Sequence, residues 1–320
     1  MKKTYLIPAL FITLGLSLSA EPLNNKGHSL SFAAVGGLLS GESEEIVYRS
    51  TSSSTKLSQL LWDLKPLAYA GVQARYSWFG PKGAWGVFAG VSSKFGIPGE
   101  TGLMEDRDWV LRDYPDVLTN YSVHDNNTES AVLVDAHIGV SRRVSQKFLL
   151  KAFLSYGFMY FSWRAHGGCF LYADIDLNND GKKDGGFGTF PPIDVISYEQ
   201  GWHILSPAAA FYGEFNRYFD IELTIKLSPF IWFSAEDRHI MRDLTVTDTG
   251  KGGFFIEPGL TFSFKPKDAV AISLSVSYRN ISGVRGIGVY DSPGEAPLSG
   301  AAGSGYSALD AGLTLNYKVF

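Results

Sequence analysis

Apolar and polar residues alternate one by one over long stretches of this chain. In residues 269–278, apolar side chains occupy every second position, and small or polar side chains occupy the positions between them. The same period of two recurs in residues 131–140 and 309–319. Because successive side chains of a β-strand point to opposite faces, each stretch predicts a strand with one apolar and one polar face.

The segments between the predicted strands are short and long in turn. Short breaks lie at residues 79–86, 144–148, 215–220 and 264–269, and longer polar segments lie at residues 50–56, 120–130, 175–186 and 291–305. This layout is typical of an outer-membrane β-barrel, whose strands turn apolar side chains toward lipid and polar ones toward the lumen. We count about ten strands, an even number as in bacterial barrels. A lipid-exposed sheet must close to pair its backbone groups, so the predicted fold is an all-β, closed antiparallel transmembrane β-barrel with long extracellular loops.

A soluble, secreted β-sandwich would also show alternation. Three features favour the membrane barrel: the strands are long for a sandwich, aromatic residues flank them, and the chain ends on an aromatic residue, Phe320. A helical membrane protein is excluded, because beyond the N-terminal segment no apolar run approaches the roughly 18 residues that a membrane-spanning helix needs.

The N-terminal segment has the layout of a secretory signal peptide. Two lysines precede an apolar run that closes on small residues at positions 19 and 20. We therefore predict a signal peptide over residues 1–20 and one barrel domain over residues 21–320, located in the bacterial outer membrane.

Composition excludes several classes of protein. The formal net charge is -4 and no cluster of basic residues occurs, so nucleic acid is not expected as a partner. The single cysteine, Cys169, excludes an intramolecular disulfide. The Gly-x-Ser-x-Gly motif of serine hydrolases and the His-Glu-x-x-His motif of zinc proteases are both absent from the sequence.

Four ionisable residues follow one another in the segment SAEDRHIM, residues 234–241. The segment follows a predicted strand and leads into an outer loop, so Asp237 and His239 are predicted at the upper rim of the barrel, on one face. A carboxylate and an imidazole on one face can hydrogen-bond directly or through a water. Such a carboxylate fixes the imidazole tautomer and raises its basicity, as a general base requires.

A second acidic pair, Asp106 and Asp108, has the same spacing in the segment GLMEDRDWV, which also climbs into a long loop. Two neighbouring carboxylates can bind a cation, share a proton or hold a water for attack. The chain also contains Asp135 and His137 in the middle of a predicted strand, and we interpret these as ordinary lumen-facing polar residues. From spacing alone, a structural role is favoured for either rim pair.

The segment DIDLNNDGKKD has the spacing of a calcium loop. Asp176, Asn178, Asp180 and Asp184 fall at positions one, three, five and nine, with a glycine at position six. Position twelve carries Phe187 in place of the usual glutamate. Asx-rich turns of exposed loops have the same composition, so a structural Ca²⁺ and a plain loop remain alternatives. Such an ion would lie far from the rim pairs, and no cofactor is expected for their chemistry.

Several segments together resemble the omptins, a family of bacterial outer-membrane proteases built as ten-stranded barrels. The resemblance covers nearly the whole mature chain in order. It is carried by the segments LLSGESEEIVY, KLSQLLWDL, MEDRDW, RAHGGCFLY, ISYEQGW and AEDRH. Its specific part is the presence of both acidic motifs in matching loops, since a barrel alone hosts many functions.

The resemblance implies an endopeptidase with Asp106 and Asp108 on one side of a cleft and Asp237 with His239 on the other. In that family an Asp-His pair is thought to activate a water that attacks the scissile carbonyl, so no acyl-enzyme forms. It implies His239 as the general base and Asp237 as the residue that orients it. Asp106 and Asp108 would position the water and stabilise the transition state.

The resemblance also implies polypeptide substrates with Arg or Lys before the cleaved bond, because carboxylates at the base of a pocket accept the basic side chain. Glu45 matches one such position. A second pocket acid is replaced by Ala235, and an acid that selects a basic residue after the bond falls at about Asn120. We therefore expect cleavage after Arg or Lys without a strict dibasic preference.

Lipid is the other implied partner. The family is activated by lipopolysaccharide, held partly by a Tyr-x-Glu-x-Arg pattern, and residues 156–160 here read Tyr-Gly-Phe-Met-Tyr. The acid and the base are both missing. Lipopolysaccharide bound in another way and a membrane of other lipids therefore remain alternatives.

The alternative function is a catalytically silent surface barrel that acts as an adhesin or a narrow pore. A wide porin is disfavoured, because about ten strands leave an interior that side chains largely fill. A silent barrel has no need of both acidic motifs together. Their joint presence favours an outer-membrane endopeptidase whose active site faces the exterior.

Overall fold

The computed structural model describes residues 27–50, 52–175, 183, 185–267, 269–294 and 298–320. The predicted signal peptide, residues 1–20, lies outside these ranges. Within them the chain forms a 14-stranded sheet and one 3₁₀ helix, and no helix there is long and apolar enough to cross a membrane. The strands are β1 (Gly27–Tyr48), β2 (Lys56–Phe79), β3 (Trp85–Gly96), β4 (Gly99–Asp108), β5 (Asn120–Arg143), β6 (Phe148–Tyr172), β7 (Gly186–Thr189), β8 (Asp194–Asn216), β9 (Phe219–Ser228), β10 (Phe230–His239), β11 (Leu244–Lys251), β12 (Phe254–Lys267), β13 (Val270–Asp291) and β14 (Leu298–Lys318), and the helix is Ile240–Arg242.

The sheet is antiparallel and closes on itself through the pairing of β1 with β14. In the half of the barrel next to the short turns, the ring runs β1, β2, β3, β5, β6, β8, β9, β12, β13, β14. In the other half β4, β10 and β11 take the places of β3, β9 and β12. The ring therefore has 10 strands at both levels, and the predicted closed barrel is confirmed.

Apolar side chains cover the outside of the barrel in the half next to the short turns. On β13 and β14, Ile272, Leu274 and Leu313 are exposed, whereas Ala271 and Ser273 between them are buried toward the lumen. The alternation predicted from the sequence is therefore observed, with its apolar face outward. Such a band is the surface that a barrel presents to the lipid of the outer membrane.

Charged residues fill the lumen at the level of this apolar band. Arg279 donates from Nε to Oε2 of Glu257 at 2.7 Å, and Nζ of Lys226 lies 3.5 Å from Oε1 of the same carboxylate. Lys226 also pairs with Asp135, whose Oδ1 hydrogen-bonds Nδ1 of His137 at 3.2 Å. Asp135 and His137 are thus lumen-facing, as predicted. Pairing offsets the desolvation penalty that each charge would suffer alone.

A layer of stacked aromatic rings crosses the lumen above these ion pairs. The ring of Trp62 lies 5.3 Å from that of Tyr198 and 6.0 Å from that of Trp163, and all three side chains are fully buried. Phe161 stacks on Trp163 at 5.2 Å and on Tyr306 at 5.5 Å. Each such pair contributes about 0.5–1.5 kcal/mol beyond its area burial, so the layer is a rigid support for whatever lies at the rim.

Two of the loops predicted from polar segments are wrong in extent, because part or all of each segment is strand. Residues 120–130 belong to β5, where Ser122, His124 and Asn126 are buried toward the lumen at alternate positions. Residues 298–305, within the predicted loop 291–305, begin β14. The strands continue past the lipid, where both of their faces can be polar or small, and the apolar alternation used for the prediction is lost there.

Candidate active site

One half of the rim site is held by the end of β10. Asp237 points inward, pairs across the sheet with Tyr198 of β8 and Val246 of β11, and is almost fully buried. His239 is the last residue of the strand, and its Nε2 lies 2.8 Å from Oδ2 of Asp237. The spacing of two residues puts both side chains on one face, as predicted, and of the two arrangements that the sequence left open, the direct contact is the one observed.

The environment of His239 sets the proton affinity of its ring. Burial lowers the pKa of His239. The charge of the Asp237 carboxylate and its hydrogen bond to the ring together raise that pKa by more than burial lowers it, so the net direction is upward from 6.5. Because Nε2 faces Asp237, Nδ1 is the ring nitrogen left to accept a proton. The pair is therefore a base of raised strength at the mouth of the barrel.

The other half of the rim site is the end of β4. Asp106 and Asp108 are the last residues of this strand on one face, and Oδ1 of Asp106 lies 3.4 Å from the Ser58 hydroxyl of β2. Burial, and next the charge of Asp108, raise the pKa of Asp106 to about 7. Burial also raises the pKa of Asp108, against the hydrogen bonds that it accepts from Ser58 and Asn120. At neutral pH the two carboxyls can therefore share a proton.

The fold brings these two halves together across the ring. At the rim, β4 and β10 are separated by β5, β6 and β8 on one side and by β11, β13, β14, β1 and β2 on the other. The charge of His239 lowers the pKa of both Asp106 and Asp108 across this gap. The four residues predicted as a site thus lie within electrostatic reach of one another at the end of the barrel away from the short turns.

Glu45 joins the same cluster from β1. Its side chain is buried, and burial followed by the charges of Asp237, Asp248 and Asp106 raises its pKa well above the ordinary value. The predicted substrate-binding acid therefore lies beside the predicted catalytic residues. Asn120, in contrast, is placed next to Asp108 and contributes a hydrogen bond to it.

Sequence reasoning missed one member of the cluster, Asp248. It lies on β11 directly opposite Ala235 of β10, and burial together with the charge of Asp237 raises its pKa to about 7. Its sequence surroundings, TVTDTGK, contain no motif. The signal that could have found it is the hairpin register, because a four-residue connection from His239 sets Asp248 opposite position 235.

Two further predictions concern partners. The four residues of the calcium-like loop, Asp176, Asn178, Asp180 and Asp184, lie outside the described residues. Within the described ranges, no group of three or more His, Cys, Asp or Glu side chains is placed to hold a metal ion. Neither finding tests the calcium prediction.

The outer surface at residues 156–160 carries polar contacts between β6 and β8. The Tyr156 hydroxyl lies 2.6 Å from Nδ1 of His203, and the Tyr160 hydroxyl donates to Oε2 of Glu199 at 2.7 Å. An acid, Glu199 of β8, thus lies next to residues 156–160, which carry none themselves.

These features define an outer-membrane β-barrel with buried acids and the His239 imidazole at its rim. The chain matches the model of the Omptin family over residues 26–319 and belongs to that family. It is located in the outer membrane, as predicted.

Named relatives agree with this assignment. The chain is 28% identical over 265 residues to "Plasminogen activator" of Yersinia pestis, covering 79% of this chain and 77% of the relative. It is 27% identical over 271 residues to "Protease 7" of Escherichia coli strain K12, covering 83% and 77%. The crystal structure of the outer membrane protease OmpT from Escherichia coli superposes with a TM-score of 0.80 at 18% identity, covering 92% of this chain and 99% of that one. At this identity the superposition shows the fold alone.

Proposed function

We propose that this protein is an outer-membrane endopeptidase that hydrolyses peptide bonds after Arg or Lys with a water activated by Asp237 and His239. The observation that carries the proposal is the 2.8 Å contact between Nε2 of His239 and Oδ2 of Asp237, within electrostatic reach of two carboxyls. Relatives named as proteases support it.

The proposed step uses the chain's own side chains. His239 takes a proton from water at Nδ1, and the water oxygen attacks the scissile carbonyl carbon. Asp237 stabilises the imidazolium that forms. Asp106 and Asp108 hold one proton between them, so one carboxyl accepts a hydrogen bond from the water while the other donates one toward the developing oxyanion. The proton on His239 then passes to the leaving amine, and no covalent intermediate with the protein forms.

The proposed preference for Arg or Lys rests on the buried acids at the rim. A substrate cation placed against Glu45 would relieve the repulsion between this carboxylate and its acidic neighbours. Asn120 is neutral, which supports a relaxed preference after the cleaved bond. Activation by lipopolysaccharide, or by other outer-membrane lipids, is part of the proposal, since Tyr156–His203 and Tyr160–Glu199 place polar groups on the outer surface.

The test is cleavage of quenched-fluorescence peptides by the refolded barrel, with and without lipopolysaccharide. We expect cutting after Arg by the wild type, and a loss of about 100- to 10,000-fold in kcat for His239→Ala and Asp106→Ala, since each removes a group that acts in the transition state. Heat-modifiable gel migration checks that each variant is folded. A folded wild type that cuts no peptide in either lipid condition would support the silent adhesin or narrow pore instead.

A further inference from the structure

Three acidic side chains on three strands are buried below the rim. Glu45 of β1 is 2% exposed, Asp237 of β10 is 3% exposed and Asp248 of β11 is 3% exposed. The charges of Asp237 and Asp248 both raise the pKa of Glu45, and the charge of Asp237 raises that of Asp248. The three carboxyls are therefore near neighbours in a site from which water is largely excluded.

Apart from the contact of Asp237 with His239, no ion pair reaches the cluster in the described part of the chain. Within the described ranges, Glu45 and Asp248 form no ion pair, and Oε2 of Glu45 and Oδ1 of Asp237 are buried without a hydrogen-bond partner. Arg285, on the intervening β13, instead donates to the carbonyl of Ser53 at 2.9 Å and stacks on the Tyr48 ring. Buried acceptors without a donor are costly. The cluster is therefore suited to a donor that arrives with a ligand.

The residues that flank Asp248 across the sheet are small. Ala235 lies directly opposite it across the β10–β11 hairpin, and Gly288 of β13 is its partner on the other side. A Cβ at position 288 would stand 2.5 Å from Oδ1 of Asp248, so only glycine accommodates the carboxylate in this position. On β14, which lies between β13 and β1, Ala302 and Ser304 are small buried residues on the same face of the sheet.

The ligand that fits is a single organic cation. An ammonium or a guanidinium is the positively charged donor that these acids would accept. Both carry several N–H groups that can donate to carboxylates on two walls. The aromatic layer of Trp62 and Tyr198 below closes the site and favours the apolar stem of a long basic side chain.

We propose that Asp248 is a specificity-determining residue that, together with Glu45, binds the basic side chain preceding the cleaved bond. The inference rests on the proposed peptidase function, since it assigns the substrate pocket of that same site. Asp248 supplies from β11 the carboxylate that Ala235 does not supply from β10. Binding of the cation displaces protons from these acids, so the affinity for basic substrates falls as the pH is lowered.

The experiment compares peptides that differ only in carrying Arg or the neutral citrulline before the cleaved bond. For Asp248→Asn we expect kcat/KM on the Arg peptide to fall about 10- to 100-fold, mainly through KM, because a charge-assisted hydrogen bond is lost. The citrulline peptide should change less than about threefold. Glu236→Gln is the matched control, because Glu236 lies on the same hairpin with its side chain exposed and carries the same charge. It should change neither rate.

Three more variants keep the test decisive. Gly288→Ala leaves the acid in place and displaces its carboxylate, so it should also lower the Arg-to-citrulline ratio. Ala235→Asp in the Asp248→Asn background returns an acid to the facing position and should restore part of that ratio, whereas Ala235→Asn in the same background should not. An unchanged ratio in folded Asp248→Asn overturns this inference alone. Absence of any cleavage by the folded wild type overturns the peptidase proposal itself.

Discussion

Nε2 of His239 lies 2.8 Å from Oδ2 of Asp237, while Oδ1 of the same carboxylate is buried without a hydrogen-bond partner in the described part of the chain. One oxygen of Asp237 is thus committed to the imidazole, and the other faces the acidic cluster with Glu45 and Asp248. A single carboxylate therefore links the proposed general base to the proposed substrate pocket, and changes to it should affect both.

The pH dependence of cleavage should report this link. The net effect of burial and Asp237 is to raise the pKa of His239 above 6.5. Because the base must be neutral, kcat should rise with pH through that raised pKa. In Asp237→Asn the carboxylate charge is removed, and burial, which lowers the pKa of His239, remains. The acidic limb of the profile should therefore move to lower pH, while kcat falls about 100- to 10,000-fold. A pH profile of kcat from pH 5 to 9 measures both effects, and a limb that stays in place would contradict this assignment.

Replacing Asp106 with Asn should raise the stability of the barrel and lower its activity. The pKa of Asp106 is about 7 in the folded protein and has the ordinary value of 3.8 in the unfolded chain. Between these two pH values, the folded protein therefore retains a proton that the unfolded chain has lost. Its contribution to stability is greatest below pH 3.8 and is lost as the pH rises through about 7. Asp106→Asn should therefore stabilise the barrel by about 1–2 kcal/mol at pH 8, discounted for hydration of the rim, and by little at pH 4.

Urea unfolding of the refolded protein at the two pH values measures this difference. Asp106→Asn should be nearly inactive while it is the more stable protein at pH 8. A variant that is less stable than the wild type at pH 8 would show that the carboxylate is held by favourable contacts, contrary to the burial argument.

The ion pairs of the lower lumen should dominate the stability of the membrane-embedded half. Glu257→Ala leaves Arg279 and Lys226 with one carboxylate fewer, and loss of one partner of a buried pair costs about 3–5 kcal/mol. The double variant Glu257→Gln with Arg279→Gln should cost less than the sum of the two single changes, since neither charge is then left alone. Thermal midpoints by heat-modifiable migration test this, and simple additivity would argue against a coupled pair.

Metal removal should separate the calcium-like loop from the proposed chemistry. EDTA is expected to leave the cleavage rate unchanged, because the proposed mechanism uses only carboxyls and an imidazole. If the loop with Asp176 and Asp180 binds calcium, the ion should raise the unfolding midpoint of the wild type and not that of Asp176→Ala with Asp180→Ala. Equal midpoints with and without calcium would identify a plain Asx-rich loop. A cleavage rate that falls with EDTA and recovers with calcium would contradict the metal-free mechanism.

The barrel could be predicted from the sequence where lipid imposes the pattern. In the membrane-embedded half, Ile272 and Leu274 must be apolar and Ser273 faces the lumen, so a period of two is visible without any structure. Above the lipid this constraint ends. Residues 120–130 therefore resembled a loop although they continue β5, and only the pairing with β4 and β6 reveals them as a strand.

The site could be predicted only where its members are neighbours in sequence. Asp237 with His239, and Asp106 with Asp108, are visible because a spacing of two places side chains on one face of a strand. Asp248 has no such neighbour. Its place near Glu45 follows from the register of a hairpin and from the two strands, β13 and β14, that separate the two residues in the ring, and neither is encoded in a local motif.

The close approach of Gly288 to Asp248 also constrains how the sequence can evolve. A Cβ at position 288 would stand 2.5 Å from Oδ1 of Asp248, so a side chain there would displace the carboxylate from its present position. The two positions should therefore vary as a pair among descendants of this gene, with loss of the glycine accompanied or preceded by loss of the acid. A lineage that places the acid at position 235 would release position 288 from this constraint. The position of the substrate-binding acid and the residue type at position 288 would therefore change together.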